Sequence, residues 1–138
     1  MALDVGSARV GVAISDPLGL TAQPISTIQR TGIRQDLKAI VDLARKHEAD
    51  SIVVGLPLKL DGETGPAAAS ILQFVDRLRA VVSIPVVTWD ERLSTVQAER
   101  ALLEGDVSRR RRRDTIDKVA AAIILQAYLD SRQKETQV

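Results

Sequence analysis

MALDVGSARVGVAISD, residues 1–16, is the stretch whose reading decides the fold. Residues 1–5 read as a strand, Gly6 as a turn, and residues 9–15 (RVGVAIS) as a second strand. Residues 22–28 (AQPISTI) follow as a third strand, after the turn signal Asp16-Pro17-Leu18-Gly19. Three strands joined by short turns predict an antiparallel meander. One residue does not fit a plain core strand. Asp4, between Leu3 and Val5, shares a face with residues 2 and 6. An ionised carboxylate buried there is costly unless it is paired or binds a metal. The structural alternative is that Asp4 accepts hydrogen bonds from the next turn.

Beyond the meander the period changes. Leu37, Ile40, Val41 and Ala44 have helical spacing within residues 34–48. The apolar run 51–56 ends at Pro57 and reads as a buried strand. Residues 57–66 (PLKLDGETGP) form a polar, glycine-rich loop. Ala68, Ile71, Leu72, Val75 and Leu78 mark a helix over 67–82, and Ile84 to Thr88 is another buried strand. Ser94 with Gln97 reads as a capping box opening a helix to about Leu103. Residues 104–113 are expected as a loop, and the last helix runs from near Asp114 to about Leu129. The order βββ-α-β-α-β-α-α predicts an α/β fold, a mixed sheet with helices packed against it. Residues 1–132 are expected to be one domain and 133–138 a frayed tail.

Composition narrows the chemistry. The 138 residues suit one domain able to bury its own core. Cysteine is absent, which excludes disulfides and thiolate metal sites. No signal peptide or membrane span is legible, so a soluble cytoplasmic protein is expected. Phe74, Trp89 and Tyr128 are too few for a base-stacking platform of the RRM kind. The single histidine, His47, reads as a surface residue, so acid–base or metal chemistry must rest on carboxylates. Net charge is only +1, yet five of the nineteen basic residues are consecutive, Arg109 to Arg113.

Three segments carry candidate carboxylates. Asp4 is on the first strand. Asp90 and Glu91 end the fifth strand, at the sheet edge where open α/β folds bind ligands; alternatively they are solvated strand-end charges. Asp114 and Asp117 share one face of the last helix, or serve it as N-cap and first-turn anion. The small residues Ala120 to Ala122 let that helix approach the sheet closely. Oxygen ligands alone suit Mg²⁺ or Mn²⁺. Two such ions about 3.5–4 Å apart can clamp the attacking and leaving oxygens of a phosphodiester.

The segments LDVGSARVGVAISD at 3–16, VVGLPLKLDGETG at 53–65, WDERLST at 89–95 and IDKVAAAIILQAYLD at 116–130 resemble the RuvX/YqgF family. These proteins are called pre-16S rRNA nucleases or Holliday-junction-resolvase-like proteins. The segments keep the family order and span nearly the whole chain. The resemblance implies an RNase H-like fold and metal-dependent phosphodiester hydrolysis, in 5′-end maturation of pre-16S rRNA, resolution of Holliday junctions, or both. It implies Asp4, Glu91 and Asp117 as catalytic metal ligands, with Asp114 a candidate fourth. Asp4 would bridge two ions, Glu91 and Asp117 would each complete a shell, and a water would attack phosphorus in line. Arg9 and Arg92 would face phosphates, and the loop 57–65 with Lys59 would lie beside the substrate path. A homodimer would suit paired cuts in a four-way junction. There are two departures from the family pattern. Only three residues precede Asp4, where family members carry several more. Ser7-Ala8 stand where the family often has a lysine, which removes one phosphate contact.

Arg109, Arg110, Arg111, Arg112 and Arg113 are expected to grip the phosphate backbone, against the alternative of a solvated charge run. There are two rival functional readings. An actin- or hexokinase-like ATP-binding domain would need a second domain and a second phosphate motif, both missing from this sequence. A non-catalytic RNA- or ribosome-binding module would use the same basic run and leave the carboxylates structural.

Overall fold

A computed structural model describes residues 1–106 and 109–136, with side chains described for 1–105 and 115–135. The chain order is β1 (Ala2–Val5), β2 (Arg9–Ser15), β3 (Ala22–Gln29), α1 (Ile33–Lys46), β4 (Ile52–Leu56), α2 (Pro66–Arg79), β5 (Val86–Asp90), α3 (Val96–Asp106) and α4 (Arg109–Thr136). A 3-10 turn, Glu91–Leu93, joins β5 to the approach of α3. This is the expected order. The five strands form one sheet in the order β3-β2-β1-β4-β5. The β1–β2 and β2–β3 pairs are antiparallel, and β1–β4 and β4–β5 are parallel.

The strand period of two sorts the core into two faces. Leu3, Val10, Val12, Ile52, Val54 and Val86 pack against α1 and α2. Ala2, Ala13 and Val53 face the other way, against Val96 of α3 and Ala120, Ala121, Ile124 and Leu125 of α4. The second face is built of smaller residues, so α4 lies close upon the sheet. Asp4 belongs to this second face. It is opposite Gly11 in the β1–β2 ladder.

A buried polar knot secures the other face. The Asp36 carboxylate accepts from Arg30 Nε at 3.0 Å and from the Thr31 N–H at 3.0 Å. Arg30 also donates to the Gly6 carbonyl at 2.8 Å and stacks 5.3 Å over the Phe74 ring. Burial pushes the Asp36 carboxyl up, but these donors outweigh it and hold it below the usual range. The knot ties the β1–β2 turn to α1 and α2, and so fixes the sheet edge that carries Asp4.

Several boundaries differ from the sequence reading. The fifth strand runs from Val86 to Asp90 rather than 84–88. Helix α3 begins at Val96; the Ser94 hydroxyl donates to the Glu91 carbonyl at 2.9 Å, and its oxygen also accepts from the Val96 N–H at 3.4 Å, where the helix opens. The expected loop 104–113 is mostly helical: α3 continues to Asp106, and the backbone is helical again from Arg109. Arginine is a good helix former, which is compatible with the run opening a helix. Asp114 therefore lies inside α4 and cannot be its N-cap. The side chains of Arg109 to Arg113 and of Asp114 lie outside the described residues. Helix α4 continues to Thr136, into the stretch expected as a tail. Among the described residues, no helix is long and apolar enough to cross a membrane.

Candidate metal and nucleic-acid site

The parallel strands β1, β4 and β5 end on one edge of the sheet, and the candidate carboxylates gather there. Asp4 projects from β1 and is 9% exposed. Glu91 follows β5 in the 3-10 turn and is 2% exposed. Asp117 comes from α4. Two glycines make the convergence possible. A Cβ on Gly11 would lie 1.9 Å from the Asp117 carbonyl oxygen, so only glycine lets α4 cross β2 at this depth. A Cβ on Gly55 would lie 2.6 Å from the end of Ile124 and 3.3 Å from Glu91 Cγ. Gly55 thus leaves the space that the Glu91 side chain fills.

Asp90 and Glu91 are adjacent but face different surroundings. Asp90 is clasped by Arg92, with Nη2 at 2.7 Å and Nε at 3.0 Å. Those hydrogen bonds hold the Asp90 carboxyl below its usual range. Arg92 also reaches the Leu60 carbonyl at 3.4 Å and so pins the loop 57–65 to the end of β5. The loop is a compact turn, with Gly62 N–H to the Lys59 carbonyl at 2.8 Å and Glu63 N–H to Asp61 Oδ1 at 2.9 Å. Lys59 is exposed on it. Glu91 turns inward instead. Its buried Oε1 has no hydrogen-bond partner among the described residues.

Arginines stand among the carboxylates. Arg9 Nε donates to Asp117 Oδ2 at 2.8 Å, so this side chain, expected to face phosphate, is engaged within the site. Arg100 of α3, which the sequence reading missed, donates through Nη2 to Asp4 Oδ1. Its Nη1 is 3.5 Å from Glu91 Oε1, close enough for charge attraction but not aligned as a hydrogen bond. The signal for Arg100 was its helical spacing from Val96, four residues before it on the buried side of α3.

Burial raises the Asp4 carboxyl above its ordinary value; Arg100 opposes the rise and the nearby Asp117 charge adds to it. Burial likewise raises Glu91, against Arg100 and with help from Asp4 and Asp90. These mutual effects place the three carboxylates in one electrostatic cluster. Both raised groups hold protons more tightly folded than unfolded. Their stabilising contribution is therefore complete at low pH and is lost as pH rises from the ordinary carboxylate value through the raised ones. Thermal melts in EDTA from about pH 4 upward check this: wild type is expected to lose melting temperature relative to Asp4→Asn across that window.

The donor set fits a hard divalent ion: carboxylate oxygens only, one of them buried without a hydrogen bond among the described residues. Among the described residues no three such groups stand close enough to enclose one ion as they are. The guanidinium groups of Arg9 and Arg100 stand among them. His47 ends α1 on the opposite face of the sheet and has no part in the site.

Comparisons with known proteins agree with this architecture. The family described as "RuvX: Holliday junction resolvase" matches residues 1–131. A Myxococcus xanthus protein named "Putative pre-16S rRNA nuclease" is 52% identical over 133 residues, covering 96% of this chain and 88% of its own. A protein of the same name from Halothermothrix orenii is 52% identical over 134 residues, covering 97% of this chain and 96% of its own. The structure of T. thermophilus RuvC in complex with a Holliday junction substrate superimposes with a TM-score of 0.58. That match has 13% identity and covers 95% of this chain and 92% of RuvC. At such low identity the likeness is one of fold, and the fold is RNase H-like.

Proposed function

The chain belongs to the RuvX family, and from that premise we propose that it is a divalent-metal-dependent nuclease, hydrolysing phosphodiester bonds in structured nucleic acid in the cytoplasm. The relatives' name favours precursor 16S rRNA as substrate, and the family description favours branched DNA. The observation that carries the reading is the meeting of two buried carboxylates, Asp4 and Glu91, with Asp117 at the sheet edge. Residues 1–132 would form the single nuclease domain.

Asp4, Glu91 and Asp117 would hold Mg²⁺ or Mn²⁺, with Asp114 as a candidate fourth ligand. A bound divalent ion supplies polarisation of the phosphoryl oxygen and an acidified water at neutral pH. The chain's own groups supply the rest. Glu91 brings a desolvated oxygen with free lone pairs. Gly11 and Gly55 fix the depth of the carboxylates. Arg92 holds the loop 57–65 beside the site, with Lys59 exposed to a phosphate backbone. Arg9 orients Asp117 and adds positive charge at the rim.

Labelled precursor-rRNA-like RNA and a four-way DNA junction, each incubated with Mg²⁺, Mn²⁺ or EDTA, test the proposal. Cutting that requires the metal supports it, and the preferred substrate identifies the branch of activity. Binding without cutting under every condition would replace it with the RNA-binding module.

Arg109 to Arg113 are proposed to contact phosphates through charge alone. Replacing the five with serine is expected to weaken binding of every sequence alike. It should also flatten the dependence of log affinity on log salt by up to about 4.5 on duplex DNA. Unchanged affinity across several salt concentrations would remove the run from the interface.

A further inference from the structure

We propose that Arg100 is the internal counter-ion of the carboxylate site and the group a divalent cation must displace, so that this one residue sets the site's cation affinity. The inference rests on the reading of Asp4, Glu91 and Asp117 as a metal centre.

One planar cation spans carboxylates from two separate strand ends. Nη2 of Arg100 bonds Asp4, and Nη1 faces Glu91 Oε1 at 3.5 Å. Glu91 is compensated by charge but, among the described residues, has no hydrogen bond on that oxygen, so its lone pairs stay available to a better-placed cation. Asp117 also interacts electrostatically with Arg100. The guanidinium therefore spans Asp4 and Glu91 directly, and the Asp117 charge reaches it only through space. It cannot leave by deprotonation, because arginine stays charged in proteins. A divalent ion must therefore move it.

The structure gives Arg100 a way out. Its side chain is 29% exposed, although its head reaches the buried carboxylates. It stands on α3, which is anchored by buried Val96 and otherwise mostly open, with Leu102 69% exposed. Arg9 is a different case: it bonds Asp117, so it compensates one ligand and does not span two.

Two cationic occupants that exclude each other are coupled, and the coupling is reciprocal. Removing Arg100 leaves Asp4 and Glu91 repelling each other, and a divalent ion then relieves that repulsion. The variant should be less stable without metal and should bind metal more tightly.

The test is Mn²⁺ binding to the full chain by calorimetry, without substrate, in wild type, Arg100→Met, Arg100→Gln and Asp4→Asn. The Mn²⁺ dissociation constant is expected to fall by about tenfold or more in both Arg100 variants. Their metal-free melting temperatures should drop, and the rise on adding Mn²⁺ should exceed that of wild type. Unchanged or weaker Mn²⁺ affinity in a folded Arg100 variant would overturn the inference, while lost binding in Asp4→Asn would leave the metal-site reading standing. Wild-type affinity in Asp4→Asn would instead overturn the site reading, and the inference with it. A measurement on wild type covers the case in which neither Arg100 variant folds. The Arg100 Nη2 protons, which bond Asp4, should be protected from exchange in EDTA and lose that protection at saturating Mg²⁺. Unchanged protection would be decisive against displacement.

Discussion

Asp4→Asn is expected to lower metal-dependent cleavage by about a thousandfold or more, the scale of several kcal/mol of transition-state stabilisation from a bound ion. The substitution keeps the shape of the side chain and removes its charge. Asparagine can still accept from Arg100 through its amide oxygen, so β1 and its pairing with β2 and β4 should survive. The binding of a hard cation, which depends on anionic oxygen, should not. The result is specific because Asp4 sits at the centre of the site: Arg100 bonds it, and its charge acts on Glu91. Cleavage rate, Mn²⁺ binding and a thermal melt measured on the same preparation separate lost chemistry from lost fold. A folded Asp4→Asn protein with wild-type cleavage would remove Asp4 from the metal centre. Asp90→Asn serves as the contrast. Asp90 is already committed to Arg92, so its loss should loosen the loop 57–65 and leave most of the cleavage activity.

Gly11→Ala is the largest stability loss the structure predicts, about 3 kcal/mol as a severe case of overpacking. The added methyl would lie 1.9 Å from the carbonyl oxygen and 2.2 Å from the carbonyl carbon of Asp117. Those are backbone atoms of a long helix, with no rotamer to turn away. Either α4 lifts from β2 or β2 bends, and both movements draw Asp117 away from Asp4. The midpoint of urea denaturation should therefore fall and cleavage should fall with it. Gly55→Ala should cost less stability, because the nearest clash is with the flexible end of Ile124. It should still impair cleavage by crowding Glu91. A Gly11→Ala protein as stable as wild type would show that α4 does not press upon β2 as described.

The positions of the proposed ligands were partly legible in the primary structure because they sit on elements with strong local signatures. Asp4 interrupts an apolar strand, and Asp117 lies on a helix whose buried stripe is clear. Periodicity assigned each to one face of its element, and packing then brought the two faces together. Asp90 and Glu91 could not be separated that way. Both stand at a strand end, where the chain leaves the sheet and the period of two no longer applies. The inward turn of Glu91 follows from the 3-10 geometry and from the space left by Gly55. The boundaries of α3 and α4 were misread for a related reason: a charged run lacks a buried stripe, and helical propensity alone carries little weight there.

The sequence by itself determined the order of the elements, the mixed character of the sheet and the restriction of the chemistry to carboxylates. Those are matters of pattern and composition, and hydrophobic burial enforces them locally. Only the tertiary structure decided which side chains share charge. Arg100 lies ninety-six positions from Asp4, and Arg9 one hundred and eight from Asp117. No local pattern marks such a pairing. It follows from how deeply α4 settles over Gly11 and from where α3 leaves the end of β5. Coulombic attraction falls with distance and rises with burial, so whether these arginines bind a carboxylate or face solvent is settled by packing.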